Sequence, residues 1–418
     1  MTRLLLAMLL ACVGACSGPG ARCPAADLHP PRATPAFALV TSDYASSAIA
    51  LLDEGGELLT EAYLDSGSAS AGLASALSGD LSLPTEAPAP DRLLWLDRFG
   101  VDVVGEARFA SGRVRQLATT PSSIAGEAAY RANPHDVLRL ADGRWAVSRY
   151  EPNLARDARE LDRGDDLLLL EPTTGELVGR IGLEALDLDV DDAGGVTRTY
   201  ARPDRMLLRQ GRLVVGLARL SADFRVAAPG AIALVDVESG EVALSSLPGL
   251  IGCGELAAAR DDPLRVFVAC VGPTFSDVAG RRVGAGVASL RVPASGPAVL
   301  EWIWRAEEHP DLPPATHALM PLEDDVVFVA SMGDAGSAEP DRLLRLRLRD
   351  GRGDVVYSSA EAFTLGPGAL SSDASLLLVP DASAGVLRFT LTGDQLSTPS
   401  VLDASPCRRL PARELRAL

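Results

Sequence analysis

Six polar residues occupy equivalent places in successive repeats of this sequence, each at the start of a predicted strand. They are His135, Asp136, Asp204, Arg205, Glu255 and His317. Carboxylates and imidazoles gathered around one opening could hold a metal ion, a cationic ligand or a partner's basic side chain. Alternatively, they hydrogen-bond free strand ends and are satisfied structural groups. The sequence therefore predicts a candidate binding face and leaves both interpretations open.

A second set of carboxylates, Asp187, Asp189 and Asp191, has the alternate spacing of a calcium loop and is followed by glycines. The acid that closes such a loop is missing, because position twelve is Arg198. The competing interpretation is a solvated acidic loop between two repeats. We expect no cofactor, and calcium is the alternative.

Familiar catalytic motifs do not appear in the sequence that follows the N-terminal leader. It contains no Gly-x-Ser-x-Gly elbow, no His-Glu-x-x-His and no haem-attachment Cys-x-x-Cys-His. All 39 basic residues are arginine, which excludes Schiff-base lysine chemistry and a phosphate-binding P-loop. We therefore predict no catalytic residues.

Short apolar runs of strand length position these polar residues. They alternate with turn signals from about residue 37 to 391, and no stretch keeps helical periodicity over several turns. The runs group into repeats of roughly 50 to 65 residues, the spacing of propeller blades with enlarged loops. The prediction is an all-β chain that forms a single β-propeller of about seven four-stranded blades.

Closure of the ring is predicted from the two ends of the chain. Residues 36–65 supply only three strands, so the C-terminal segment around 408–415 is expected to complete that blade by strand exchange. The connections at 150–165, 220–230, 272–286 and 332–341 are long, and all join second to third strands. Because such connections share one face of a propeller, we expect that face to carry binding.

The N-terminus has the features of a bacterial lipoprotein signal. A basic Arg3, a short apolar run and Gly14-Ala15 precede Cys16, so residues 1–15 are predicted to be removed and Cys16 lipidated. Ordinary secretory cleavage near Ala15 and lipidation at Cys12 are the alternatives. Residues 16–35 read as a flexible tether and 36–418 as the propeller. We expect an outer-membrane lipoprotein of the cell envelope, on its periplasmic or surface side.

The net charge bears on the partners of the protein, and the cysteine content agrees with export. The formal net charge is −17, which disfavours nucleic acid as a partner. Beyond Cys16, four cysteines allow three pairings. Cys253 and Cys270 flank two adjacent predicted strands, which favours a bond between them and leaves Cys23 with Cys407 to tie the chain ends together.

One region of the chain resembles a known family. The strings Asn133-Pro-His-Asp-Val137, Ser148-Arg-Tyr-Glu151 and Leu170-Glu-Pro-Thr-Thr-Gly175 are similar to a blade signature of bacterial secreted YVTN-type propellers, particularly lipoproteins. The resemblance is clear over residues 130–250, whereas the Tyr-Val-Thr-Asn string itself is absent. It implies a propeller used for binding or scaffolding and carries over no catalytic residue.

These observations favour a lipid-anchored, monomeric propeller that acts as a non-enzymatic binding or scaffold protein for an unidentified protein or small ligand. The alternative is a calcium-dependent, lactonase-like hydrolase with its metal at the channel mouth. The two hypotheses differ in geometry, because an enzyme of this kind requires three or four carboxylates and imidazoles to converge within coordination distance. A quinone-cofactor dehydrogenase is disfavoured by the presence of only four tryptophans.

Overall fold

Seven antiparallel sheets form the protein, and the prediction of a seven-bladed, all-β propeller is confirmed. The computed structural model describes residues 23–418 except 29–32, 69, 71, 88, 99, 125–129, 193, 274–276 and 324. The predicted leader and the lipidation site at Cys16 lie outside the described residues.

Each blade has four principal strands, numbered from the central channel outward. In that order they are Ala412–Ala417, Phe37–Ser42, Ser47–Leu52 and Leu58–Asp65 in blade 1; Leu81–Ser82, Arg92–Asp97, Val103–Arg108 and Arg113–Ala118 in blade 2; Pro134–Arg139, Trp145–Pro152, Gly164–Glu171 and Glu176–Gly182 in blade 3; Pro203–Arg209, Arg212–Leu217, Pro229–Asp236 and Val242–Ile251 in blade 4; Glu255–Ala258, Arg265–Val271, Ala285–Arg291 and Val299–Arg305 in blade 5; His317–Pro321, Val326–Ser331, Arg342–Arg347 and Arg352–Ser358 in blade 6; and Ala369–Leu370, Leu376–Asp381, Gly385–Thr392 and Ser400–Leu402 in blade 7, where Gln395–Leu396 adds a short fifth strand.

The middle strands are continuously apolar because each blade is covered on both faces by its neighbours. Phe267 of blade 5, for example, lies in one buried cluster with Trp304 of the same blade and with Val327 and Leu344 of blade 6. Burial of such side chains contributes about 1.5–3 kcal/mol each. Packing between blade walls therefore holds the ring together and leaves its two ends free to vary.

The C-terminal strand closes the ring as predicted. Ala412–Ala417 pairs antiparallel with Phe37–Ser42 and becomes the inner strand of blade 1. The predicted disulfides Cys23–Cys407 and Cys253–Cys270 are both formed. In the loop-closure model, a bond across 384 residues lowers the entropy of the unfolded chain by an amount worth about 6 kcal/mol.

The two ends of the ring differ in their connections. We call loop face the end that carries the links between blades and the links from second to third strands. We call turn face the opposite end, where most of the other links are tight turns such as the one at Gly143, and where the link of residues 83–91 in blade 2 is longer. The long second-to-third connections of blades 3 to 6 all lie on the loop face, as predicted.

Among the described residues, helical structure is confined to short pieces. The α-helices are Pro121–Ile124 and Val278–Arg282, and the 3-10 turns are Glu160–Asp162, Glu184–Leu186 and Ala306–Glu308. In the part of the chain that the structure describes, no helix is long and apolar enough to cross a membrane. The link between blades 3 and 4 forms a separate hairpin of Leu188–Asp192 and Gly195–Thr199.

Candidate functional site

The six polar residues predicted to form a binding face lie on the inner strands or directly before them. Their strands begin at the loop face, so the six side chains start near the same end of the channel. They do not form one group. His135 contacts Asp204, Arg205 contacts Glu255, and the amides of neighbouring blades hold Asp136. His317 stands apart, with Nε2 donating to the carbonyl of Leu365 at 3.0 Å.

Arg205 is the centre of a charge network that crosses the channel. Its guanidinium donates to Glu414 at 3.1 Å and lies 3.5 Å from Glu255. Arg416 joins the same two acids, at 3.1 Å from Glu414 and 3.3 Å from Glu255. Two cations and two anions from blades 1, 4 and 5 thus neutralise one another inside the ring. Carboxylate partners raise the pKa of Arg205 against the effect of its burial, so the side chain stays charged.

Sequence reasoning missed Glu414 and Arg416. The signal was present, because residues 414 and 416 alternate along the strand that was expected to close the ring and therefore point to the same side. An inner strand presents that side to the channel. The network could have been anticipated by extending the register of the closing strand.

Asp136 ties three blades together through backbone amides. Its carboxylate accepts from the amide of Thr85, between the first and second strands of blade 2, at 3.0 Å and from the amide of Met206 of blade 4 at 2.7 Å. Burial raises the pKa of Asp136 to about 6, against the opposing effects of Arg205 and of these amides. The carboxylate of Asp136 is therefore engaged by hydrogen bonds within the protein.

His135 and Asp204 form a partly buried hydrogen-bonded pair. The Nδ1 atom of His135 lies 2.8 Å from the Asp204 carboxylate, and the ring stacks on Tyr150 with centroids 4.1 Å apart. Burial lowers the pKa of His135 despite the carboxylate, so the ring is neutral at pH 7. Burial opposes ionisation of Asp204, but His135, Arg205 and Arg98 hold its pKa below the ordinary value.

The three aspartates considered for calcium do not form a loop. The segment is a β-hairpin, as its alternating sequence allows. Arg198 of the facing strand approaches Asp187 at 3.2 Å and Asp189 at 3.3 Å, so a guanidinium lies where the loop model would put a cation. Among the described residues, no three His, Cys, Asp or Glu side chains are grouped as a metal site requires. The donor sets predicted here do not fit calcium.

An open cavity lies at the loop-face mouth of the channel, above the charge network. We call it the mouth cavity; its volume is about 310 Å³. Its charged and aromatic lining residues are Tyr44, Asp80, Arg98, Arg205, His317, Asp341, Phe363, Arg413 and Glu414. Of the predicted face, only Arg205 and His317 line it. Tyr44, Phe363 and Arg413 were not identified from the sequence. Tyr44 and Phe363 lie in links of blades that are distant in the chain, and Arg413 lies at the start of the closing strand.

Two glycines make the mouth cavity possible. A Cβ atom on Gly79 would lie 2.2 Å from backbone atoms of Tyr44, and one on Gly366 would lie 1.6 Å from the carbonyl oxygen of Arg413. The links that bear these glycines therefore pack directly against the backbone of blade 1. Their close approach fixes where Tyr44 and Arg413 stand.

Comparison with known proteins supports the fold. The periplasmic gluconolactonase PpgL of Pseudomonas aeruginosa matches 92% of this chain and 99% of its own, with a TM-score of 0.55 and 14% identity. The chain is a seven-bladed β-propeller. A functionally unknown protein from Desulfotomaculum acetoxidans (TM-score 0.47, 10% identity, 92% and 98% coverage) and virginiamycin B lyase from Staphylococcus aureus (0.45, 10%, 84% and 93%) also match.

At such identities the likeness concerns the fold alone. No protein-family model and no curated protein matches the sequence. The resemblance to YVTN-type lipoproteins therefore remains a prediction from residues 130–250.

Proposed function

We propose that this protein binds a small ligand in the mouth cavity and acts as a non-enzymatic binding or scaffold protein. The observation that carries the proposal is a 310 Å³ cavity that opens at the elaborated end of the ring, with salt bridges crossing the channel beneath it. A pocket of this size suits a small molecule. The scatter of the predicted carboxylates and imidazoles supports binding over metal-dependent hydrolysis, which needs their convergence.

The cell envelope is the proposed location, with a lipid on Cys16 as the anchor and a monomer as the working form. The signal-like leader and the two disulfides support export, because disulfides persist in oxidising compartments. Replacement of Cys16 by Ser should release the protein from the membrane fraction. Retention of C16S in that fraction would contradict the anchor.

A thermal-shift screen of the mature protein against small molecules of mixed charge tests ligand binding. Met332 is half-buried and lines the mouth cavity, so M332W should fill the cavity and abolish the shift produced by a true ligand. The matched control is L370W, which lies at the opposite mouth of the channel and should keep the shift. Ligands lost equally in both variants, or no ligand at all, would contradict the proposal.

A second candidate function, hydrolysis of an ester or lactone, is favoured by His135 alone. A neutral imidazole held at Nδ1 by a carboxylate is the arrangement of a general base, and Nε2 has no hydrogen-bond partner among the described residues. In that case Nε2 would take a proton from water as it attacks the carbonyl, and nearby Arg98 would favour the developing negative charge. The similar fold of the gluconolactonase makes a lactone the natural first substrate to try.

Lactone hydrolysis followed in a pH-stat separates the two functions. Chelator-resistant turnover that falls at least a hundredfold in H135N and in D204N would favour the hydrolase. Turnover that persists in both variants, or no turnover at all, would leave the binding protein.

A further inference from the structure

Arg413 differs from the other arginines of the mouth cavity because it forms no close salt bridge with a described carboxylate. Arg98 is paired with Asp80 at 2.5 Å, and Arg205 is held by Glu414 and Glu255. Arg413 makes no salt bridge to any described residue. Its Nε donates to the carbonyl of Ser42 at 3.0 Å, and one terminal nitrogen reaches the carbonyl of Phe363 at 3.5 Å.

The remaining N–H donors of the Arg413 guanidinium can bind a ligand. A guanidinium has five N–H groups, so these two bonds leave three, including donors on both terminal nitrogens. Such a pair matches the two oxygens of a carboxylate. The acid next to Tyr44 does not form a salt bridge with this end of Arg413. Oδ1 of Asp43 accepts from the amides of Ala45 and Ser46, and Arg413 attracts the exposed carboxylate only at longer range.

Two exposed aromatic residues line the cavity that contains this guanidinium. Tyr44 is 68% exposed and its ring centroid lies 4.7 Å from the guanidinium carbon of Arg413, while Phe363 is 54% exposed. Both have left-handed backbones, with φ of 66° and 60°. Bulky residues rarely adopt this conformation, and exposure of apolar rings brings no compensating burial.

The surrounding structure enforces both conformations. The Ser42 hydroxyl accepts from the Tyr44 amide at 2.9 Å. The Asp341 carboxylate accepts from three successive amides beginning at Phe363, at 2.9, 2.7 and 2.8 Å. Strain that is held by buried polar contacts at a pocket rim points to a function of the strained residues.

We propose that the mouth cavity is a site for an organic anion whose carboxylate is attached to a flat, apolar body. The carboxylate binds end-on to Arg413, and the flat body lies against Tyr44 and Phe363. This inference rests on the proposed function and adds the chemical class of the ligand. The backbones that carry the two rings are fixed before the ligand arrives, so little backbone entropy is lost on binding.

Titration calorimetry of the mature protein with benzoate tests the inference, and benzamide and inorganic phosphate serve as comparison probes at constant ionic strength. Benzoate should bind saturably and at least tenfold more tightly than either comparison probe. R413Q should weaken benzoate binding at least tenfold and Y44A at least threefold. R225Q, which removes an exposed arginine elsewhere on the loop face, should change it less than twofold.

Several outcomes would overturn the inference. The first is equal affinity of the wild-type protein for benzoate and benzamide or for benzoate and phosphate, a comparison that requires no variant to fold. The others are unchanged benzoate binding in R413Q and no saturable binding of benzoate. If neutral ligands bind and M332W abolishes their binding while benzoate fails, the anion site is wrong and the binding function stands. If M332W abolishes the binding of no ligand, both proposals fail.

Discussion

The loop face and the turn face of this propeller are built by different rules. Of thirteen non-glycine residues with positive φ in the described structure, eleven lie at the loop-face end of the blades and only Gln210 and Ala374 lie in turn-face turns. In other turns of the turn face the residue with positive φ is a glycine, for example Gly143, Gly175 and Gly240. The mouth cavity also belongs to the loop-face half of the channel, and the buried charge network extends from it to Arg416 near the opposite mouth. Strain and buried charge persist there because packing between the blade walls stabilises the ring independently.

The largest contrast between the two faces should come from buried charge. R205M removes one of two cations that neutralise Glu414 and Glu255, so we expect a loss of about 3–5 kcal/mol in unfolding free energy. The turn-face control is R144Q, whose salt bridge with Asp142 is partly exposed and should be worth about 0–1 kcal/mol. Urea unfolding of both variants measures the difference. Equal losses would mean that the channel network contributes no more to the free energy of unfolding than an exposed salt bridge does.

A second contrast concerns the direction of the pH dependence. Burial raises the pKa of Asp136 to about 6 in the folded state, above its ordinary value of 3.8. The folded state then binds more protons between these values, so the contribution of Asp136 to stability falls as pH rises from 4 to 6. The cost of D136N should therefore shrink by about 2 kcal/mol between pH 4 and pH 7, measured by urea unfolding at each pH.

Asp236 is the turn-face control for this experiment. Hydrogen bonds from the Ser239 amide and hydroxyl lower the pKa of Asp236, so its contribution is present above the unfolded pKa and is lost as pH falls. The cost of D236N should therefore grow with rising pH. The same slope in both variants would contradict the assigned environments.

The sequence predicted the ring but only part of the candidate site, and the reason is the range of the interactions. Strand runs, turn signals and the missing fourth strand of blade 1 are local or pairwise features, so blade count, closure and both disulfides could be derived. The mouth cavity depends on links from blades 1, 2, 6 and 7 that approach through Gly79 and Gly366. No periodic pattern in the sequence predicts contacts between links that are so distant in the chain.

The six predicted polar residues illustrate the same limit. Their equivalent positions correctly indicated the channel end, but position on a strand does not determine hydrogen-bond partners. His135 took its partner from the next blade, whereas Arg205 took one from the C-terminal strand more than 200 residues away. Arg413 belongs to the closing strand, whose approximate place was predicted, yet its lack of a close salt bridge is visible only once the contacts of the nearby acids are known.

The smallest effects should have opposite signs on the two faces. At Phe363 (φ 60°) a glycine would relieve the left-handed backbone, so F363G should stabilise the protein by about 0.5–1 kcal/mol, since the exposed ring gives up little burial. At Gly240 (φ 72°), where a Cβ meets no atom within 4 Å, G240A should destabilise by about 1 kcal/mol through backbone strain alone.

Benzoate binding by the same two variants connects stability with function. F363G should gain stability and lose affinity, whereas G240A should lose stability and bind as the wild type does. A protein that gains stability when a strained side chain is removed has kept that side chain for another reason. If F363G lost stability instead, the ring of Phe363 would stabilise the fold by packing. The difference between the two faces would then lie in the buried charges rather than in backbone strain.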